Sequence, residues 1–194
     1  EDKGYVGTFL KQIKEVAKSC KEKKIKIISN AGGLNPKSMA SEIKKILDEQ
    51  SIDMKVAYID GDDLLPRMED LTKEGEVFEN IDKNIPLNDS GFSTLTANAY
   101  LGAWGIKEAL DNGADIVVCP RVTDAAVVIG PAAWKFDWDR NNYDALAGAL
   151  AAGHIIECGC QATGGNYAFF KEVSSFDNVG YPIAEILEDG SFYV

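Results

Sequence analysis

Three short apolar runs, each followed by a polar turn and then by a helical pattern, constrain the fold of this chain most strongly. The runs are rich in the β-branched side chains that favour strands, and they span residues 25–29, 55–59 and 115–119. Their polar turns follow at 30–36, 60–63 and 120–124. Strands that alternate with helices build parallel sheets, whose carboxyl ends share one edge. The pattern predicts an α/β fold, with a parallel βαβ-type sheet flanked by helices and three polar turns at one edge.

The helices are predicted from apolar spacing and from capping residues. Apolar side chains three and four positions apart predict an amphipathic helix over 5–20. Asn35 is a suitable cap, and Pro36 a suitable first residue, for the next helix. Thr94 or Thr96 is expected to cap a helix that continues to Asp111, where Asn112-Gly113 ends it.

The second half of the chain predicts shorter elements. Thr123 is expected to cap a helix that Gly130-Pro131 interrupts. Asn142 should cap an alanine-rich helix ending near Gly153, with a short strand over 155–158 after it. Asp189-Gly190, between apolar pairs, predicts a hairpin.

These patterns suggest one domain with an extension. We expect an α/β domain over 1–153, with a mobile loop at about 75–92, and a hairpin-rich extension over 154–194.

Charge and composition narrow the function classes. The net charge is −11, which disfavours a nucleic-acid surface, because such surfaces are basic. No apolar run approaches the roughly 20 residues that span a bilayer, so a membrane partner is not expected. Cys20 and Cys119 lie in apolar patterns typical of buried, reduced thiols, and a cytoplasmic location fits best.

The first polar turn offers a site for an anionic group. Gly32 and Gly33 directly follow a strand, so a ligand could approach their backbone N–H groups, with Asn30 and Asn35 beside them. The turn is neither a dinucleotide fingerprint nor a phosphate-binding loop. A tight βα turn with Asn35 as the helix cap explains it equally well.

The second turn is acidic. Asp60, Asp62 and Asp63 supply carboxylates that a divalent cation such as Mg²⁺ or Ca²⁺ could bind, and Asp62 could instead act as a general base. The alternative is that Asp62 or Asp63 caps a short helix.

The third turn is the most suggestive. Arg121 could bind a carboxylate or phosphate with two hydrogen bonds, Thr123 could add another, and Asp124 could hold the guanidinium or move a proton. An internal Arg–Asp pair beside a capped helix is the alternative.

The last group of candidates follows the alanine-rich helix. His154 is the chain's only histidine and a candidate acid–base residue, although a lone histidine is more often structural. Cys158 and Cys160 lack the partners and spacing of a zinc site, so no metal is assigned to them. Gln161, Thr163 and Asn166 lie in a glycine-containing turn that could donate hydrogen bonds to a ligand, although a tight turn alone explains these residues equally well.

Eight blocks together resemble the acyclic terpene utilisation family. They include Asn-Ala-Gly-Gly-Leu-Asn-Pro at 30–36 and Gly-His-Ile-Ile-Glu-Cys-Gly at 153–159. The other blocks lie at 55–58 with 61–66, and at 96–105, 121–125, 130–134, 161–166 and 180–185. Cys119 and Cys160 stand where the family pattern suggests small residues other than cysteine. The resemblance also suggests a partial-length member, because family members carry further segments before and after this region.

The resemblance implies a role in the catabolism of acyclic terpenoids or related branched acids. We expect an enzyme or enzyme subunit that acts on a small branched carboxylate or on its CoA thioester, by hydratase- or lyase-type acid–base chemistry. Redox chemistry fits less well because no nicotinamide fingerprint is present. A non-catalytic binding or assembly subunit is the alternative. The expected partners are a small anionic substrate and either further copies of the chain or a chain that carries the remaining family segments.

Overall fold

The fold was described from a computed structural model, which covers residues 3–194. It is an α/β fold with a three-stranded parallel sheet flanked by helices, as predicted. The sheet consists of β1 (Ile27–Ser29), β2 (Val56–Tyr58) and β3 (Ile116–Val118). The helices are α1 (Gly7–Glu22), α2 (Pro36–Glu49), α3 (Met68–Lys73), α4 (Trp104–Asp111), α5 (Ala126–Lys135) and α6 (Tyr143–Glu157). Strands β4 (Glu185–Ile186) and β5 (Phe192–Tyr193) form a separate antiparallel hairpin.

The last strand in the chain to join the sheet, β3, lies in its centre. The spatial order is β1-β3-β2, so β3 is inserted between the two strands that α2 connects. Val117 of β3 stands opposite Ile28 of β1 on one side and opposite Ala57 of β2 on the other. All three turns that follow these strands therefore reach the same edge.

Alternate side chains of β3 enter two different cores, which makes the structure a three-layer α/β/α sandwich. Ile116 and Val118 pack with buried side chains of α1 and α2, such as Ile13 and Ile43. Val117 and Cys119 pack on the opposite face, against side chains that include Ile106 of α4. Both faces are covered, as is typical of parallel sheets.

A third core lies between α5, α6 and the hairpin. Trp138 is buried there, and its indole N–H donates to the carbonyl oxygen of Glu188 at 2.9 Å. The turn of the hairpin touches α6 directly, because a Cβ added to Gly148 would lie 2.0 Å from the carbonyl oxygen of Gly190. The hairpin predicted at Asp189-Gly190 is confirmed.

Several local predictions are confirmed. The three strands form within the predicted runs, and the amphipathic first helix is present. Asn35 caps α2, with its side-chain oxygen accepting the N–H of Ser38 at 3.2 Å, and Pro36 is the first residue of that helix. Asn112 follows the last residue of α4, and Gly113 has a left-handed φ of 83°, as the predicted stop requires.

The helix predicted from Thr94 or Thr96 is wrong in its first half, because α4 begins only at Trp104. Residues 97–101 are instead extended, and their backbone groups pair with two other segments: Leu64 N–H donates to the Ala97 oxygen, and Leu101 N–H donates to the Arg121 oxygen. Tertiary hydrogen bonds outweighed the local helical spacing.

Two glycines that were expected to interrupt or end helices lie inside them. Gly130 is within α5, and Gly153 is within α6, which continues to Glu157; the short strand expected at 155–158 is therefore wrong. A Cβ on Gly130 would lie 2.6 Å from the Ile106 side chain, and one on Gly153 would lie 2.8 Å from that of Ala125. These glycines allow close helix packing.

The expected caps of the later helices also differ from the structure. Ala125, not Thr123, is at the capping position of α5, and no side chain caps that helix. Thr123 belongs to the preceding segment, where its N–H donates to the Leu101 oxygen at 2.9 Å. Asn142 does precede α6, but its side chain makes no capping hydrogen bond.

The long segment between α3 and α4 is irregular, with one short 3₁₀ turn at Leu87–Asp89. Residues 159–184 are likewise irregular apart from two 3₁₀ turns. The division into a domain over 1–153 and an extension, and the mobility of the loop, remain predictions. Within residues 3–194, no helix has the length and apolar character needed to cross a membrane.

One carboxylate joins the starts of the three parallel strands. Asp115 accepts a hydrogen bond from the Lys26 ammonium at 2.9 Å and from the Lys55 backbone N–H at 3.0 Å. Burial tends to raise the pKa of Asp115, but these two hydrogen bonds and the charges of Lys26 and Lys21 outweigh that effect, so its pKa lies below the ordinary value.

The close approach between the first turn and β3 leads to a stability prediction. A Cβ on Gly32 would lie 2.5 Å from the Cys119 carbonyl oxygen, so Gly32→Ala should cost about 1–3 kcal/mol of the free energy of unfolding. Gly102→Ala is the matched control, because a Cβ there meets no atom within 4 Å. Urea unfolding measures both, and equal stability of the two variants would contradict the described packing.

The Asp115 contacts lead to a prediction for pH. A carboxyl whose pKa is lower in the folded state stabilises the fold above its unfolded pKa of about 3.9, and that stability is lost as pH falls through the folded pKa. Asp115→Asn should therefore cost on the order of 1 kcal/mol at pH 7 and much less at pH 3. Urea unfolding at both pH values checks this. A cost that is the same at both would show that the charge of Asp115 is not involved.

Candidate functional site

The three polar turns meet at the carboxyl edge of the sheet, as expected from the parallel arrangement. Cys119 N–H donates to the Ser29 oxygen at 2.7 Å, and Ile59 N–H donates to the Val118 oxygen at 2.9 Å, so strand pairing continues to the start of each turn. The first turn touches the last residue of the third run, Cys119, through Gly32. The second touches the third through Asp62.

Asp62 is the central side chain of this edge. Among the residues that the structure describes, it is the only buried charged side chain, with 4% of its surface exposed. Its Oδ2 atom accepts a hydrogen bond from the Asn98 side-chain amide at 2.8 Å and from the Arg121 backbone N–H at 3.4 Å. The second and third turns are therefore joined through one carboxylate oxygen.

The other oxygen of Asp62 remains accessible. Oδ1 accepts no hydrogen bond from a described residue. Within residues 3–194, no side-chain nitrogen or oxygen is both fully buried and without a hydrogen-bond partner. It follows that Oδ1 is not fully shielded from solvent, although Asp62 is only 4% exposed. Asp62 is thus hydrogen-bonded through one oxygen only, and the other has no protein partner among the described residues.

The extended segment 97–101 holds the second and third turns together. On one side, the Ala99 N–H donates to the backbone carbonyl oxygen of Asp62 at 2.8 Å. On the other side, the Leu101 N–H donates to the Arg121 oxygen at 3.1 Å, and Leu101 accepts the N–H of Thr123 at 2.9 Å. This segment presents Asn98 to Asp62 and Tyr100 to Arg121.

The Arg121 side chain is exposed and lies against Tyr100. The guanidinium donates a hydrogen bond to the Tyr100 hydroxyl, and its central carbon is 4.9 Å from the centre of the tyrosine ring. Aromatic rings stabilise cations in this position. No ion pair joins Arg121 to Asp124 or Asp62 in the part of the chain that the structure describes, so the alternative of an internal Arg121–Asp124 pair is not observed. The guanidinium charge is therefore available to an anion.

Sequence reasoning selected Asp62 and Arg121 but missed Asn98 and Tyr100. Both missed residues lie in the segment that was assigned to a helix. The run Ala97-Asn98-Ala99-Tyr100-Leu101 alternates small or apolar side chains with polar ones, which is the period of an extended strand. That alternation was the sequence evidence that this segment is extended and not helical.

The candidate ligand-binding residues of the first turn have mainly structural roles. Gly32 is buried against the Cys119 oxygen, and Gly33 has a left-handed φ of 54° beside the Gly4 oxygen. Asn35 caps α2, while Asn30 is exposed and its carbonyl accepts the N–H of Gly33 at 3.2 Å. A ligand role for these four residues remains a prediction.

The three aspartates of the second turn have separate surroundings. Asp60 is exposed, and the exposed Asp63 accepts the N–H of Leu65 at 3.0 Å beside a short 3₁₀ helix. Across residues 3–194, no three His, Cys, Asp or Glu side chains are grouped in a way that could hold a metal ion. The carboxylates considered for a divalent cation are thus not gathered into such a group.

Thr123 and Asp124 are exposed on the third turn, immediately before α5. Near the end of α6, the Cys158 thiol donates a hydrogen bond to the Glu157 carboxylate at 3.4 Å, and this bond, together with the charge of Glu157, raises the pKa of Cys158. The charge of Asp124 is a smaller cause of the same shift. Cys158 is therefore less ionised than an ordinary surface thiol, which makes it a poor nucleophile.

His154 is exposed on α6, and its Nδ1 lies 3.1 Å from the Leu150 carbonyl oxygen of the preceding helical turn. This contact is local to the helix. The structure shows no contact between His154 and Asp62 or Arg121 among the described residues, and a catalytic role for His154 remains a prediction.

The glycine-containing turn after α6 lies in the irregular region. Gln161, Thr163 and Asn166 are all exposed, and the Thr163 hydroxyl donates to the carbonyl oxygens of Cys160 and Gly180. Thr163 also lines a cavity of about 500 Å³ between this turn and residues 173–180. The turn therefore lines part of this cavity.

Cys119 belongs to the core and not to the site. Burial raises the pKa of its thiol to about 12, so it remains protonated and unreactive. This agrees with the interpretation of Cys119 as a buried, reduced thiol.

Fold and site together define an α/β protein with a carboxylate and an arginine at the carboxyl edge of a parallel sheet. The chain belongs to the acyclic terpene utilisation family, because the model of that family, described as acyclic terpene utilisation family protein AtuA, matches residues 1–194. The predicted resemblance is confirmed. The chain has no significant match among curated proteins or among solved structures.

The Asp62–Asn98 contact leads to a prediction of coupling. Asn98→Ala leaves a buried carboxylate with one partner fewer and should cost about 1–3 kcal/mol of the free energy of unfolding. In a double-mutant cycle, the variant that combines Asn98→Ala with Asp62→Ala should be destabilised by about 1 kcal/mol less than the sum of the two single variants. Urea unfolding measures the cycle, and the exposed Asn88→Ala is the control. Strictly additive costs would contradict the hydrogen bond.

Proposed function

We propose that this protein is a catabolic enzyme or enzyme subunit that acts on a small branched carboxylate or on its CoA thioester, by hydratase- or lyase-type acid–base chemistry. The observation that carries the proposal is the buried Asp62 carboxylate, fixed at one oxygen and accessible at the other, beside an exposed arginine. Membership of the family supports a role in acyclic terpene utilisation.

Asp62 is the proposed proton-transferring group. A general base must be held in place and still reach the proton that it takes. The Asn98 amide and the Arg121 N–H hold Oδ2, and Oδ1, which accepts no hydrogen bond from a described residue, is the oxygen that would take the proton. Asn98 is then a positioning residue. Asp124 and His154 are further candidates for the second proton transfer.

Arg121 is the proposed anion-binding group. Its guanidinium can donate two parallel hydrogen bonds to a carboxylate or phosphate. Tyr100 contacts the guanidinium through its ring face and accepts a hydrogen bond from it at the hydroxyl oxygen. These two contacts fix the position of the guanidinium group. Thr123, on the same turn, together with Asn30, Gly32, Gly33 and Asn35 of the neighbouring turn, would complete the surroundings of the ligand.

A second candidate function is a non-catalytic binding or assembly subunit of an acyl-CoA-processing complex. The observation that favours it is the exposure of large apolar side chains on residues 159–184, such as Phe169 and Tyr181. Such surfaces mark interaction sites.

Exchange of the α-proton with solvent tests the proposed chemistry. With isovaleryl-CoA as the probe, the protein in D₂O should incorporate deuterium at C2, measured by mass spectrometry. Asp62→Asn keeps the size of the side chain but loses the basic group, so exchange should fall by about 10²-fold or more. Asp63→Asn is the matched control and should retain the wild-type rate. No exchange by the wild-type chain would contradict the enzymatic function and favour the assembly subunit.

Anion binding is tested separately by calorimetry with isovaleryl-CoA and with isovalerate. Arg121→Ala should weaken binding by about tenfold or more, because it removes the bidentate hydrogen bonds. Arg140→Ala is a matched control, since Arg140 lies 5.0 Å above the Trp104 ring in a comparable cation–π contact. Equal affinity of Arg121→Ala and wild type would exclude Arg121 from the site.

A further inference from the structure

Strand β2 lies at one edge of the sheet, and its outer side has no partner among the described residues. The sheet order is β1-β3-β2, so β2 pairs only with β3. The Lys55 oxygen and the Ile59 N–H form hydrogen bonds with β3, at 3.1 Å and 2.9 Å. The alternate residues of the strand, Val56 and Tyr58, therefore direct their backbone N–H and C=O groups away from β3. An edge of this kind can pair with a further strand.

A groove runs along this edge, between β2 and α2. It is a cavity of about 730 Å³, and Val56 and Tyr58 line its β2 side. The α2 side consists of residues spaced along one face of the helix: Lys37, Ala40, Ser41 and Lys44. Successive side chains of a strand point to opposite faces of the sheet. A strand added to β2 would therefore place every second side chain in the groove, against this face of α2.

The helical layer beside the groove is basic, although the chain as a whole is acidic. Residues 3–55, which include α1 and α2, contain 12 lysines and six acidic residues, so they carry a net charge of +6. Residues 56–194 contain eight basic and 23 acidic residues and carry the negative excess. At physiological salt, exposed charges act over only about 8 Å. A partner in the groove therefore meets local positive charge.

The lysines of α2 set the spacing that a partner must match. Lys37 makes no ion pair with a described residue, and Lys44 pairs only with the exposed Asp48 of its own helix. The groove also includes Lys55 and Asp53, whose charges offset each other. Lys37 and Lys44 are seven residues apart, which is about 10 Å along a helix. Side chains four residues apart in a strand are separated by about 13 Å, so two acidic side chains at that spacing would reach both flexible ammonium groups.

The edge and the charge together define the occupant. A helix has no free backbone groups to pair with an edge strand, whereas an extended segment does. A second copy that paired through its own β2 would bring the groove lysines of both copies together, and like charges repel. We propose that β2 and the groove form a docking site for an extended, acidic segment of a partner protein, which adds a fourth strand to the sheet.

Titration of the ¹⁵N-labelled full chain with a designed peptide tests the proposal. The probe is Thr-Glu-Thr-Val-Thr-Glu-Thr, in which both glutamates and the valine face one side of a strand. At up to millimolar concentration, it should shift the amide resonances of Val56 and Tyr58 and slow their exchange with solvent, because these N–H groups become hydrogen-bonded. A peptide with lysine in place of both glutamates should bind about tenfold more weakly or worse.

Charge variants test the groove. Lys37→Glu combined with Lys44→Glu should weaken binding of the acidic peptide by about tenfold or more. Lys11→Glu combined with Lys18→Glu is the matched control, because these exposed lysines of α1 have the same spacing and lie outside the groove. Equal weakening by the two pairs would show that general charge attracts the peptide, and would overturn the proposed groove.

A backbone variant tests strand addition. Tyr58→Pro removes an outward N–H from an edge strand, where proline is tolerated, and should abolish binding. Tyr58→Thr keeps that N–H and should retain binding. If Tyr58→Pro does not fold, the lysine variants still decide the result.

Two further outcomes would overturn the proposal. One is that the Val56 and Tyr58 resonances stay unchanged with millimolar acidic peptide. The other is that inorganic phosphate alone shifts them as the peptide does, which would assign the groove to a small anion. No substrate is used, so the result is independent of the proposed function.

Discussion

The insertion of β3 between β1 and β2 is the constraint on which the rest of this structure depends. Because β3 pairs with a strand on each side, its backbone groups are satisfied along its whole length. Its side chains are buried on both faces, and each face anchors a separate core. The two helical layers are therefore held in place by one strand of three residues.

The two ends of β3 show how one strand can serve both stability and a site. At its start, Asp115 joins the segments that lead into β1 and β2 through Lys26 and the Lys55 N–H. At its end, the chain turns at Pro120, and Arg121 gives its backbone N–H to Asp62 and its side chain to Tyr100. At the start of β3, Asp115 is paired with Lys26. After the end of β3, the Arg121 guanidinium has no ion-pair partner, and one carboxylate oxygen of Asp62 has no hydrogen-bond partner, among the described residues.

Local features of the sequence predicted the parts of the fold that local chemistry decides. The three strands, the cap at Asn35 and the Asp189-Gly190 hairpin all form as predicted, because each is determined by neighbouring residues. Gly130 and Gly153 could not be interpreted in that way, since the neighbours that require them belong to α4 and to the start of α5. Asn98 and Tyr100 were missed for the same reason: their conformation is set by Asp62 and Arg121, which are distant in sequence.

The chemistry of Asp62 distinguishes a site from a structural junction. Burying a carboxylate costs free energy unless its charge is paired or well hydrogen-bonded. Asp62 accepts two hydrogen bonds at Oδ2, which an asparagine side chain at this position would accept without that cost. A structural ion pair with Arg121 would explain the charge, but the guanidinium lies against Tyr100 instead. The carboxylate of Asp62 therefore has no ion-pair partner among the described residues, and this is why we propose acid–base chemistry at its other oxygen.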